Sequence, residues 1–131
     1  MPKKPITIMM IGGEYRLQDG LRALLTSLPQ NPTIQIENSA SEAVQHIQAN
    51  PPDLIVLNAD RPDISVQAFL QKTSLLARHI PCISLVDTYE EMGAALRAGS
   101  DSAMLRGFSP QDLFSVIHKL LSSLSEKSYD G

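Results

Sequence analysis

A single cysteine, Cys82, stands in 131 residues. One thiol excludes any internal disulfide and points to a reducing, cytoplasmic home. Long apolar runs are missing too. Stretches such as Leu54 to Leu57 are far too short to cross a bilayer, so no membrane partner is expected. Positive charge is neither abundant nor clustered. With 11 basic residues against 14 acidic ones, and a net charge of -3, no basic stripe marks a nucleic-acid-binding face on this chain alone. The segment Met1 to Pro5 carries two lysines but no hydrophobic region behind them, so it does not read as a signal peptide. There is no internal repeat and no low-complexity tract. The apolar fraction of 43% is ordinary for a globular protein and suffices for one packed core at this length.

The apolar residues fall into two alternating patterns. Ile6 to Ile11, Leu54 to Leu57 and Pro81 to Val86 are short, continuous apolar runs, which predict strands buried on both faces. Thr33 to Glu37 alternates, with Ile34 and Ile36 on one face and Gln35 and Glu37 on the other, and predicts a half-buried edge strand. Ser102 to Leu105 predicts a short fifth strand. Between them lie helical patterns. Leu17, Leu21, Leu24, Leu25 and Leu28 share one helix face, as do Ala43, Val44 and Ile47. Val66, Phe69, Leu70, Thr73 and Leu76 form the inner face of a third helix predicted from Ser65 to Arg78.

End signals punctuate these helices. Ser39 with Glu42 makes a capping box, and Pro51-Pro52 stops the helix that it opens. A fourth helix, Tyr89 to Ala98, ends at Gly99. Ser109-Pro110 opens the last one, with Leu113, Ile117, Leu120 and Leu124 inward. These patterns make one domain over residues 1–124; residues 125–131 read as a polar tail or the start of a linker. Five strands alternating with five helices predict an α/β, flavodoxin-like three-layer sandwich with a parallel sheet in the order 2-1-3-4-5. The functional crevice then lies beyond the carboxyl ends of strands one and three, where Gly12, Gly13 and Asn58 converge near Val86.

The chain resembles the receiver domain of bacterial response regulators over about Ile6 to Leu124. Gly20-Leu-Arg-Ala-Leu-Leu25 is similar to the first helix of receivers that carry C-terminal helix-turn-helix output domains. Pro52-Asp-Leu-Ile-Val-Leu-Asn-Ala-Asp-Arg-Pro62 resembles the phosphorylation strand and its loop, and Ala94 to Arg106 resembles the fourth helix and fifth strand. The resemblance implies phosphoryl transfer to an aspartate, an acid pair that helps hold magnesium, a lysine on the phosphoryl oxygens, and a hydroxyl and an aromatic residue that report the event.

Matched position by position, those groups are absent. The acid pair falls on Gly12 and Gly13, although a one-residue shift would bring Glu14 into place. The phospho-acceptor position falls on Asn58, a neutral amide and a poor nucleophile. The hydroxyl position falls on Val86, the aromatic position on Ala103, and the lysine on Arg106, which keeps the charge but not the compact ammonium. Magnesium wants hard oxygen ligands, so no metal and no other cofactor is expected.

The resemblance therefore implies an atypical receiver, a pseudo-receiver that is not an enzyme. It would act as a phosphorylation-independent interaction module in a transcriptional regulator of two-component type. A protein partner or a second copy would use the face of the fourth helix, fifth strand and last helix, with Arg97, Met104, Arg106, Phe108 and Gln111 as possible contacts, or the face of the first and last helices. DNA would be reached only through an output domain outside this chain. The alternatives are phosphorylation at a noncanonical acid such as Asp60, or a small-molecule sensor using a recess beside Val86 and Ala103.

Several residues keep two readings. Gly12-Gly13 is a tight turn or a backbone nest for an anion. Phe108 is an interface residue or a hydrophobic staple on the last helix. Asp60, Asp63 and Asp87 are rim acids or solvated loop acids. His46, His79 and His118 read as surface histidines, and Cys82 as a buried core thiol.

Overall fold

A computed structural model describes residues 6–12, 15–29, 31–58, 66–73 and 79–130, with side chains described at 6–12, 18–29, 31–58, 68–73 and 79–122. Among these residues five strands, β1 (Thr7–Ile11), β2 (Thr33–Glu37), β3 (Leu54–Asn58), β4 (Cys82–Val86) and β5 (Ser102–Leu105), alternate with five helices. The helices are α1 (Tyr15–Thr26), α2 (Ala40–Ala49), α3 (Val66–Thr73), α4 (Tyr89–Ala98) and α5 (Pro110–Asp130). Every strand pairing is parallel, in the order β2-β1-β3-β4-β5. This is the flavodoxin-like architecture that the alternation of patterns predicts.

The continuous apolar strands are explained by two cores, one on each face of the sheet. Because side chains alternate along a strand, Ile8, Met10, Leu54, Val56, Ile83, Leu85 and Met104 turn to one side and meet Leu21 and Leu25 of α1 and Leu113 and Ile117 of α5. Met9, Ile11, Ile55, Leu57 and Cys82 turn to the other and meet Ala43 and Ile47 of α2 and Phe69 and Leu70 of α3. Burying each large side chain stabilises the fold by roughly 1.5–3 kcal/mol. Polar clamps set the register. The Asp53 carboxylate accepts the Thr7 N–H at 2.8 Å, while the Asp53 N–H donates to the Thr7 carbonyl at 2.9 Å. That pair locks the start of β3 against β1, so that Ile8 stands opposite Leu54.

Helix ends follow their side chains. Ser39 accepts the Glu42 N–H at 3.2 Å, and Ser109 accepts the Asp112 N–H at 3.2 Å. Thr88 and Glu91 form a further capping box, with N–H and carboxylate contacts to the Thr88 hydroxyl at 3.1 Å each. Gly99 closes α4 in a left-handed conformation, φ 114°, which a side chain would resist.

One detail departs from the sequence reading. Glu37 was expected on the outward face of β2, yet it is buried and Ile34 and Ile36 are only half-buried. The reason is that α2 covers that face. The Glu37 carboxylate is satisfied there by Gln35 Nε2 at 3.0 Å and by His46 Nδ1. The last helix runs to Asp130, and no proline or glycine interrupts it between Gln111 and Asp130. Residues 74–78 of the third predicted helix, and the side chains of Leu17 and Val66, lie outside the described residues.

Candidate functional site

In a parallel sheet the carboxyl ends of all strands share one edge, and that edge gathers the site. Gly12 follows β1 with φ 76°, a conformation suited to glycine. Its N–H donates to the Glu37 carbonyl at 2.9 Å, and its carbonyl accepts from Gln18 Nε2 at 3.0 Å. Gln18 is buried and the sequence reading passed over it. The available signal was a polar residue on the apolar stripe of α1, three positions before Leu21.

Asn58 is the last residue of β3 and pairs in register with Leu85. By alternation from Leu54 and Val56 its side chain turns toward the α1 and α5 side. It is 2% exposed, and its amide nitrogen is buried without a hydrogen-bond partner among the described residues. Arg106 follows β5. Its backbone N–H donates to the Val86 carbonyl at 2.9 Å, its Nε donates to Asp87 Oδ1 at 2.6 Å, and its Nη2 reaches the Leu85 carbonyl at 3.5 Å. The guanidinium is thereby held across the end of β4 with its charge balanced by Asp87. Asp87, one of the three candidate rim acids, is thus an ion-pair partner.

Asn58 and Arg106 line one cleft of about 280 Å³, walled by Leu21 and Leu24 of α1, by Leu85, and by Phe108. Gly12 shares the same edge of the sheet. Val86 is buried at the end of β4, and Ala103 lies on the face of β5 opposite the core-facing Met104; neither lines this cleft. The space beside Asn58 therefore opens toward α1, away from the recess expected beside Val86 and Ala103. Gly13, Glu14, Asp60 and Asp63 lie outside the described residues.

With this geometry the chain can be compared with known proteins. No family model matches it. It is 24% identical over 119 residues to the nitrate/nitrite response regulator protein NarL of Escherichia coli (strain K12), an alignment covering 89% of this chain and 55% of that protein. The chain thus spans about half the length of the curated relatives it matches. Among solved structures it is similar to a CheY-like response regulator receiver domain protein from Methanospirillum hungatei JF-1, with a TM-score of 0.81, 19% identity, and 95% and 99% of the two chains covered. It is also similar to the signal receiver domain of a DNA binding response regulator protein from Colwellia psychrerythraea 34H, with a TM-score of 0.78, 16% identity, and 89% and 98% covered. The chain has the fold of receiver domains.

Elsewhere in this fold the candidate contact residues separate. Arg97 and Gln111 are exposed. Phe108 is half-buried and packs on the core that contains Leu113, the geometry of a hydrophobic staple ahead of α5. Met104 is corrected from the possible interface to the core, because the alternation of β5 turns it inward beside α5. Among the described residues the exposed large hydrophobics are Tyr89 and Leu96, both on α4. Their spacing of seven puts them on one helix face, a signal the sequence reading missed.

The histidines stay apart. His46 pairs with Glu37 and His79 with Asp101, at 2.9 Å. No group of three or more His, Cys, Asp or Glu residues that could hold a metal occurs among the described residues. Cys82 is a buried core thiol whose pKa burial pushes up to about 12. No helix among the described residues is long and apolar enough to cross a membrane.

Proposed function

We propose that this receiver domain signals without phosphorylation, as an interaction module that regulates a two-component-type transcriptional regulator in the cytoplasm. The observation that carries the reading is Asn58. A receiver that accepts phosphate needs a carboxylate nucleophile at the carboxyl end of its third strand, and here a buried, neutral amide occupies that place. Magnesium does not fit the described residues either. Gly12 has no side-chain oxygen, its carbonyl is taken by Gln18, and Asn58 offers no charge. Arg106 is engaged by Asp87, which is consistent with a structural cation. The domain is then a binding module and not a catalyst.

Its partner, or a second copy, would be met on the face of α4, β5 and α5, where Tyr89 and Leu96 are exposed and Arg97 and Gln111 are polar neighbours, or on the face of α1 and α5. DNA would be reached only through an output domain. The support for such a domain is that NarL extends well beyond the aligned region and that one structural relative is a receiver from a DNA binding response regulator.

The test is incubation with acetyl phosphate and magnesium, followed by intact mass. No adduct is expected. A stoichiometric, alkali-labile adduct would refute the reading, and its mapping to Asp60 would establish the noncanonical acceptor instead. Asn58→Asp should also fail to restore efficient phosphorylation, because Gly12 and Gly13 still supply no side-chain oxygen for magnesium. Restoration by that single change would overturn the account of the acid pair.

A further inference from the structure

We propose that the cleft between α1 and the turn after β5 is a binding site for a small, uncharged molecule with a carbonyl acceptor on an apolar body. The walls are Leu21, Leu24, Leu85 and Phe108, so most of a ligand's surface would meet hydrocarbon. The orphan amide of Asn58 is the second, independent observation. The Asn58 side chain is almost wholly buried, the residue lines this cleft, and its amide nitrogen has no hydrogen-bond partner among the described residues. A buried donor without a partner is costly, and rotation of the amide toward the cleft would let a ligand carbonyl supply the missing acceptor.

Charge selects against acids and amines. The guanidinium of Arg106, which also lines the cleft, is ion-paired with Asp87 at 2.6 Å, so the local charge is already balanced. Size sets the scale. A cleft of about 280 Å³ holds about nine non-hydrogen atoms at the ~30 Å³ that each water occupies in the liquid. An aryl ketone or a small amide of that size fits. The site does not depend on whether the domain accepts phosphate, so it can stand or fall separately from the proposed function.

The test is an NMR titration of the whole chain with three probes of equal heavy-atom count: acetophenone, its isostere α-methylstyrene, which lacks the carbonyl, and benzoate, which adds a charge. Acetophenone is expected to give saturable shifts in the methyls of Leu21, Leu24 and Leu85 and in the side-chain amide of Asn58. It should bind about three- to tenfold more tightly than α-methylstyrene, the range of one neutral hydrogen bond, with benzoate weakest. In Asn58→Leu, α-methylstyrene should still shift the leucine methyls while the preference for the ketone disappears. Absence of saturable shifts at these residues with both neutral probes, tighter binding of benzoate, or a ketone preference that survives in Asn58→Leu would each overturn the proposal.

Discussion

Replacing Asn58 by leucine should make the protein more stable, which is unusual for a change at a buried position. The Asn58 amide nitrogen is buried with no partner, and such a donor costs about 1–3 kcal/mol relative to a satisfied one. Leucine is similar in size, and Leu21, Leu24, Leu85 and Phe108 line the cleft beside the ion-paired Arg106, so the new methyls meet mainly apolar walls and open space. The expected gain is therefore about 1–3 kcal/mol, or about 3 °C or more in Tm for a chain of this length. Urea denaturation followed by circular dichroism reads it directly. The midpoint should rise while the m value stays the same, because the surface exposed on unfolding hardly changes. An unchanged or lowered midpoint would refute the reasoning. It would mean that the amide is satisfied in solution, for instance by water entering the cleft.

Three other outcomes follow from the geometry. The Cys82 thiol, raised to about 12 by burial from a reference of 9.0, should resist iodoacetamide at pH 8 in the native protein and react fully in denaturant. Because the unfolded thiol ionises first, its contribution to stability is complete below about pH 9 and falls between pH 9 and 12, by about 1.4 kcal/mol per pH unit; a flat stability profile across that window would contradict it. Gly99→Ala forces a side chain into φ 114° and should cost about 1–3 kcal/mol in a denaturation curve, even though no atom lies within 4 Å of the added carbon. Asp53→Ala removes the carboxylate that accepts the Thr7 N–H and should cost about 1–3 kcal/mol; a loss within the ~0.5 kcal/mol typical of neutral surface changes would show that the clamp on β3 is dispensable.

Much of this architecture is legible in the residues because the controlling interactions are local or periodic. The apolar runs at Ile8 to Ile11, Leu54 to Leu57 and Cys82 to Val86 can be satisfied only by burial on both faces, and helices at 3.6-residue spacing between them leave few ways to wind the sheet. Ser39, Gly99 and Ser109 announce helix ends through their own side chains or their lack of one. Thr88 with Glu91 was equally readable, and Gln18 stood visibly on an apolar stripe. Asn58 could be placed at the tip of its strand because prolines and apolar residues bracket it in sequence.

Other features depend on which distant segments meet. Glu37 looks solvent-facing along its own strand and becomes buried only because α2, with His46, lies over that face. Asp87 looks like a loop acid until the end of β5 brings Arg106 within 2.6 Å. Met104 and Phe108 look like surface candidates until the packing of α5 claims one for the core and half-buries the other. The cleft is the clearest case. Its walls come from α1, β3, β4 and the turn after β5, segments separated by dozens of residues. Periodicity and end signals belong to the chain itself and fix where strands and helices run. The unpaired amide, the neutralised guanidinium and the space between them belong to contacts across the fold, which a one-dimensional pattern does not encode.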